Sequence, residues 1–204
     1  FSEGRSAAVI RSVAAEIEAV RGVTLLDVDP GEDTNRTVIT FVGPPEAVVE
    51  AAFRAGKRAA ETIDMTQHHG SHARMGAMDV CPFVPVAGVT MADCVALARE
   101  CGSRIGDLGI PVFSTPFDDT AVALLEGLDA PAYKIASGDI INIPLLRHVA
   151  KIGKPMIIST GGATMEDVVR AYRTVMPINP QLCILQCTSG YPAEFNELNL
   201  KVIQ

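Results

Sequence analysis

The sequence predicts an α/β protein built from two unlike parts. A partial ferredoxin-like α+β sandwich over 1–110 precedes half of a β/α (TIM-type) barrel over 111–204. Three observations carry this. Before residue 110 the apolar periods run helix, strand, strand, helix, strand, helix. After it, short apolar strands starting near 110, 132, 155 and 183 alternate with helical stretches, as parallel βα units do. Polar residues also gather at the C-terminal ends of those strands, the edge where a β/α barrel builds its ligand site.

In order along the chain, Ser2 is the expected N-cap of a first helix. Val9, Ile10, Val13, Ile17 and Val20 form one stripe of it, and Gly22 stops it. Strands follow at 24–29, turning at Pro30-Gly31, and at 37–43. Pro44-Pro45-Glu46 opens a helix to about residue 63, with Val48, Val49, Ala52, Phe53 and Ala60 on one side. A polar loop crosses 68–75, and 79–85 reads as a buried strand. Thr90 with Asp93 is a capping box for the next helix. In the second part, strands are expected at 110–115, 132–137, 155–160 and 183–188, with helices at 119–128, 144–153 and 164–176. Four βα units alone would bare apolar faces, so a homo-oligomer or a completing partner chain is expected.

Composition narrows the function. A chain 48% hydrophobic and 20% charged folds rather than staying disordered. A net charge of −7 argues against nucleic-acid and anionic-membrane partners, leaving small-molecule substrates. No apolar run reaches membrane-spanning length and no signal peptide is recognised, so a cytoplasmic location is expected. Phe1 and Gln204 both fall where further chain is expected. Cys81, Cys94, Cys101, Cys183 and Cys187 are an odd set without a C-x-x-C pair, and read as buried reduced thiols.

The loop from Asp64 to His72 holds three of the four histidines, and an imidazole there could exchange protons near neutral pH. A solvated loop explains the same composition. A zinc site on His68 and His72 would need two further ligands that no spacing supplies. Phe1-Ser2-Glu3-Gly4-Arg5, Leu25-Leu26-Asp27-Val28-Asp29-Pro30-Gly31, Thr34-Asn35-Arg36-Thr37-Val38 and His72-Ala73-Arg74-Met75-Gly76-Ala77-Met78-Asp79-Val80-Cys81-Pro82-Phe83 resemble the glutamate formiminotransferase family. That resemblance, over 1–112, implies transfer of a formimino group from N-formiminoglutamate to tetrahydrofolate as co-substrate, as in histidine breakdown. It implies His72 as the acid–base residue, with Asp29, Asn35 and Arg36 lining the ligand cleft.

Lys134 and Ser137, three residues apart at a strand end, suit an anion, although a surface lysine beside capping serines fits as well. Ser114-Thr115-Pro116-Phe117-Asp118, Tyr133-Lys134-Ile135-Ala136-Ser137-Gly138-Asp139, Ile158-Ser159-Thr160-Gly161 and Gln186-Cys187-Thr188-Ser189-Gly190-Tyr191-Pro192 resemble the sialic acid synthase family over 108–204. The implied reaction condenses phosphoenolpyruvate with N-acetylmannosamine or its 6-phosphate. Thr115, Lys134, Ser137 and Ser159 would hold phosphoenolpyruvate, with Asp139, Ser189 and Tyr191 on the sugar side. That family's divalent metal, Mn or Mg, is held by later strands, so its ligands are expected to be absent here. The two resemblances meet near 107–114, in a strand both would share. Three readings follow: formimino transfer, phosphoenolpyruvate-dependent condensation, and a catalytically inactive chimera of two incomplete enzymes.

Overall fold

Ser6, not Ser2, closes the first helix in the computed structural model, which describes residues 1–70, 76–190 and 194–203. The Ser6 hydroxyl accepts from the Val9 amide at the start of α1 (Ala7–Glu18). Ser2 is buried instead and donates from its hydroxyl to the Gly76 carbonyl at 2.6 Å. The difference is tertiary: the opening residues are drawn along the hairpin that follows and do not begin a helix.

That hairpin is β1 (Thr24–Gly31) and β2 (Arg36–Val42), antiparallel, with Asp29 opposite Val38 and Gly31 opposite Arg36. Phe1 and Thr37 exchange backbone hydrogen bonds, which seats the N-terminal residues beside β2. Pro45 then starts α2 (Pro45–Thr62). Val13, Ile17 and Val20 pack with Ala51, Ala55, Ala59 and Ile63 into one core. The small alanines let α1 and α2 approach closely over one face of the hairpin. The capping box at Thr90 and Asp93 forms in both directions and opens α3 (Met91–Gly106).

The strand expected at 79–85 does not form. Residues 80–86 have the alternating exposure of an extended chain but no ladder partner, and Val80, Val84 and Val86 are 69, 71 and 77% exposed. Pro82 and Pro85 lack the N–H that a ladder needs. The segment is therefore neither a strand nor buried, although its sequence has the period of one.

In the second part, Asp118 caps α4 (Asp119–Gly127), Asn142 caps α5 (Ile143–Ile152), and a capping box of Thr164 and Asp167 opens α6 (Met165–Val175). Three strands, β3 (Tyr133–Ile135), β4 (Met156–Ser159) and β5 (Leu182–Leu185), make one parallel sheet in chain order. The stretch 110–115 adds no fourth strand. Its link to β3 is the Lys134 amide donating to the Ser114 carbonyl at 3.4 Å, and Pro111 removes a further donor. The sheet is open: a half-barrel architecture without closure.

Alternation along the strands sorts their side chains. Tyr133, Ile135, Met156 and Ile158 enter a core with Val122, Leu125, Leu146, Val149, Ala171 and Val175 from the helices. Lys134, Ile157 and Cys183 form one register row on the opposite face. Buried Asn179 donates to the Lys154 carbonyl and accepts from the Gln181 amide, which steers the chain into β5. The chain thus divides into two units, Phe1–Ile110 and Pro111–Gln204.

Candidate functional site

At the tip of the first hairpin, Asn35 adopts a left-handed backbone (φ 51°), a conformation asparagine tolerates better than most residues. Its side chain is buried and joins three segments. The amide oxygen accepts from the Gly4 N–H at 2.8 Å, and the amide nitrogen donates to the His69 carbonyl at 3.0 Å. The Asn35 carbonyl lies 2.8 Å from His68 Nε2. A carbonyl can only accept, so Nε2 carries the proton in that bond. His68, 5% exposed, is thus held at the hairpin tip through its Nε2.

Two glycines make this closeness possible. A Cβ at Gly70 would sit 2.3 Å from the Thr34 carbonyl oxygen, and one at Gly4 would sit 2.3 Å from that of Gly31. Next to the clamp, Arg36 forms an ion pair with Asp79. The sequence signal for Asp79 is an acid standing alone between Met78 and Val80 in an apolar run. Asp29 lies exposed on β1, and Asn35 spends its amide on backbone groups. The three expected cleft residues are therefore neighbours in the hairpin, but they play different parts. His72 lies outside the described residues. The residues flanking that segment, Gly70 and Gly76, are both anchored, by the approach to Thr34 and by Ser2 respectively.

In the second unit the polar ends of adjacent strands converge as the parallel topology demands. The Gly161 amide donates to Ser137 Oγ at 3.0 Å, while Thr160 Oγ1 donates to the Leu185 carbonyl and accepts from the Cys187 amide. A Cβ on Gly161 would meet Ser137 Oγ at 3.0 Å and Ser189 Oγ at 3.2 Å, so both serine hydroxyls crowd one glycine. Ser159 is buried at the end of β4. A cavity of about 750 Å³ opens beside this edge, lined by Thr160, Gly162, Gln186, Thr188, Ser189 and Glu197 among others. Lys134 and Thr115 are part-buried and do not line it; the Lys134 ammonium donates to the Ile135 carbonyl at 3.4 Å. Asp139 sits in a 3-10 turn (Ser137–Asp139), and Tyr191 lies outside the described residues.

Among the described residues no group of three or more His, Cys, Asp or Glu is placed to hold a metal. Only Cys94 and Cys101 of the five thiols are buried; Cys81 and Cys187 are part-exposed and Cys183 is exposed, because β5 is an edge strand.

Comparison with known proteins matches residues 1–165 to the formiminotransferase domain, N-terminal subdomain. The chain is similar to formimidoyltransferase-cyclodeaminase of Dictyostelium discoideum, 55% identical over 55% of the chain and 21% of the relative. It is similar to glutamate formimidoyltransferase of Streptococcus pyogenes serotype M1, 48% identical over 59% of the chain and 40% of the relative. It is also similar to N-acetylneuraminate-9-phosphate synthase of Mus musculus, 41% identical over 52% of the chain and 29% of the relative. Among solved structures, the spore coat polysaccharide biosynthesis protein spsE of Bacillus subtilis aligns with a TM-score of 0.50 at 33% identity, over 56% of this chain and 34% of that one. The chain thus spans well under half of each of these relatives. The family match continues past Ile110 into the second unit. Beyond Ile110 the second unit has its own hydrophobic core.

Proposed function

Because the chain belongs to the formiminotransferase-domain family (N-terminal subdomain), we propose that its first unit serves formimino transfer from N-formiminoglutamate to tetrahydrofolate. The observation that carries this reading is the clamp at Asn35. It ties the hairpin turn to Gly4 and to His69 beside the Arg36–Asp79 pair, shortly before the segment that contains His72. In this reading His72 accepts the proton from the folate nitrogen as that nitrogen attacks the formimino carbon. It then returns the proton to the departing glutamate nitrogen. Arg36 takes a substrate carboxylate by sharing with or displacing Asp79, since a guanidinium carries five donors in a fixed fork.

The test is turnover of the two substrates by the chain and by its His72→Ala variant. General acid–base catalysis contributes about 10²–10⁴-fold, so a loss of that size is the expected result. Turnover equal to that of the unsubstituted chain would remove His72 from the mechanism. Arg36→Lys is expected to raise KM for N-formiminoglutamate more than it lowers kcat, because it loses a bidentate contact and keeps the charge.

A second reading is favoured by the converging Ser137, Gly161 and Ser189 and by the resemblance of 108–204 to sialic acid synthases. There the second unit binds the carboxylate or phosphate of phosphoenolpyruvate, with Lys134 supplying charge. Lys134→Ala would then weaken phosphoenolpyruvate binding measured by calorimetry. An unchanged affinity would leave the strand-end hydroxyls without that role. The third reading, a chimera without activity, predicts no turnover of either substrate pair under conditions where both units are folded.

A further inference from the structure

The helical layer of the second unit holds a cluster of positive charge that neither reading uses. Glu166, Val169, Arg170, Arg173 and Thr174 recur along α6 at intervals of one, three and four, so they share one side of that helix. At about 100° per residue, that side lies opposite Ala171 and Val175, which are buried in the core. Arg147 joins them from α5, and Pro177 and Ile178 from the turn after α6. Together they line a groove of about 500 Å³. The turn is held firmly. Buried Asn179 donates from its side chain to the Lys154 carbonyl at 2.7 Å, and the Ile178 amide donates to the Val175 carbonyl at 2.9 Å.

The whole chain carries 24 acids against 17 lysines and arginines, so three arginines about one groove run against its composition. Arg170 is paired with Asp167, whose carboxylate also caps α6. Arg147 and Arg173 have no ion-pair partner among the described residues. A base in the last turn of a helix complements the helix dipole, which accounts for Arg173 but not for Arg147 in the middle of α5. Val169 and Ile178, 38 and 40% exposed, give the groove an apolar wall with Pro177. The acid that lines it, Glu166, stands in the first turn of α6, about 10 Å along the axis from Arg173 in the last.

We propose that this groove binds a small organic phosphate, its phosphoryl oxygens on Arg147 and Arg173 and its organic body against Val169, Pro177 and Ile178. One guanidinium fork occupies both oxygens of a carboxylate, whereas the three oxygens of a phosphoryl group can be shared between two forks. An inorganic anion would leave the apolar wall bare, and an apolar ligand would leave two guanidiniums unanswered. Ser137, Gly161 and Ser189 do not line the groove, so the site is independent of the strand-end hydroxyls.

The experiment uses the full chain with phenyl phosphate and, in parallel, with inorganic phosphate. Calorimetry reads the affinity, and labelling with p-hydroxyphenylglyoxal followed by peptide mass spectrometry reads which arginines are covered. Phenyl phosphate should bind saturably and more tightly than inorganic phosphate. It should slow the labelling of Arg147 and Arg173 and leave that of Arg99, an exposed arginine of the first unit, unchanged. Arg147→Gln and Arg173→Gln should each weaken binding about tenfold, through loss of a charge-assisted contact. Glu166→Gln should tighten it about twofold, because a like charge is removed from the groove. Equal slowing at Arg99, no preference for phenyl phosphate over inorganic phosphate, or full affinity in both arginine variants overturns the assignment. Binding that leaves Arg147 unprotected and is lost in Ser137→Ala would place the phosphate at the strand ends, and overturns it too. The labelling comparison is made within the unsubstituted chain, so a variant that fails to fold does not blunt it.

Discussion

Asn35 does two separable things, and two substitutions tell them apart. Its side chain closes a hydrogen-bonded bridge between Gly4 and His69, and its backbone sits in the left-handed region. Asn35→Ala loses the bridge, leaves the Gly4 N–H and His69 carbonyl to find other partners, and places a Cβ residue without a local polar group at positive φ. The expected destabilisation is about 2–4 kcal/mol. Asn35→Gly loses the same bridge but relieves the backbone, and should cost about 1 kcal/mol less. Urea denaturation of both variants checks this; equal losses would mean that the left-handed turn carries no strain. Gly70→Ala is a harsher test of the same place. Its Cβ would meet a backbone carbonyl, which cannot rotate away. A loss of about 1–3 kcal/mol is expected from the overpacking.

Among the elements, the two capping boxes tie helix starts to pH. Hydrogen bonds from the Thr90 backbone and hydroxyl hold the Asp93 carboxyl below its ordinary value of 3.8, and those from Thr164 do the same for Asp167. A carboxyl whose folded value is depressed binds protons less readily in the native state. Its contribution is present above the unfolded value and fades as pH falls through the folded one. Helical circular dichroism followed from pH 6 to about pH 2 should therefore fall at the acid end, and Asp93→Asn with Asp167→Asn should flatten that part of the profile. Thr90→Ala removes the other half of its box and should cost about 1 kcal/mol. The segment 80–86 shows the opposite case, a local pattern that no element realises. Its period of two is intact, but a strand exists only when a neighbour supplies the ladder.

For the whole molecule the decisive fact is that the two hydrophobic cores share no residue. Each unit then has its own cooperative contacts, and a single transition is not required. Leu146 is fully buried in the second core, so Leu146→Ala should lose about 2–5 kcal/mol there. Leu146→Ala should shift the unfolding of the second unit, and Asn35→Ala that of the first. The near-ultraviolet signal of Tyr133, the one tyrosine buried among the described residues, follows the second unit alone. If both substitutions moved one shared transition by the same amount, the two cores would be unfolding as one.

Helix positions, the two-part order and the convergence of hydroxyls at parallel strand ends were legible in the sequence, because hydrophobic period and capping chemistry are local. Thr90 with Asp93 is a box that four residues suffice to specify. Three things were decided by the tertiary structure. Ser2 reads as a cap in the sequence, yet its hydroxyl is buried against Gly76, 74 residues away. Nothing in the sequence shows which group His68 bonds, and only the fold of the hairpin tip commits its Nε2 to the Asn35 carbonyl. The pairing of Asp79 with Arg36 could not be read at all, since it depends on a partner brought from a distant part of the chain. Local sequence specifies what each segment can form. Which polar groups meet depends on packing, which compares all the segments at once.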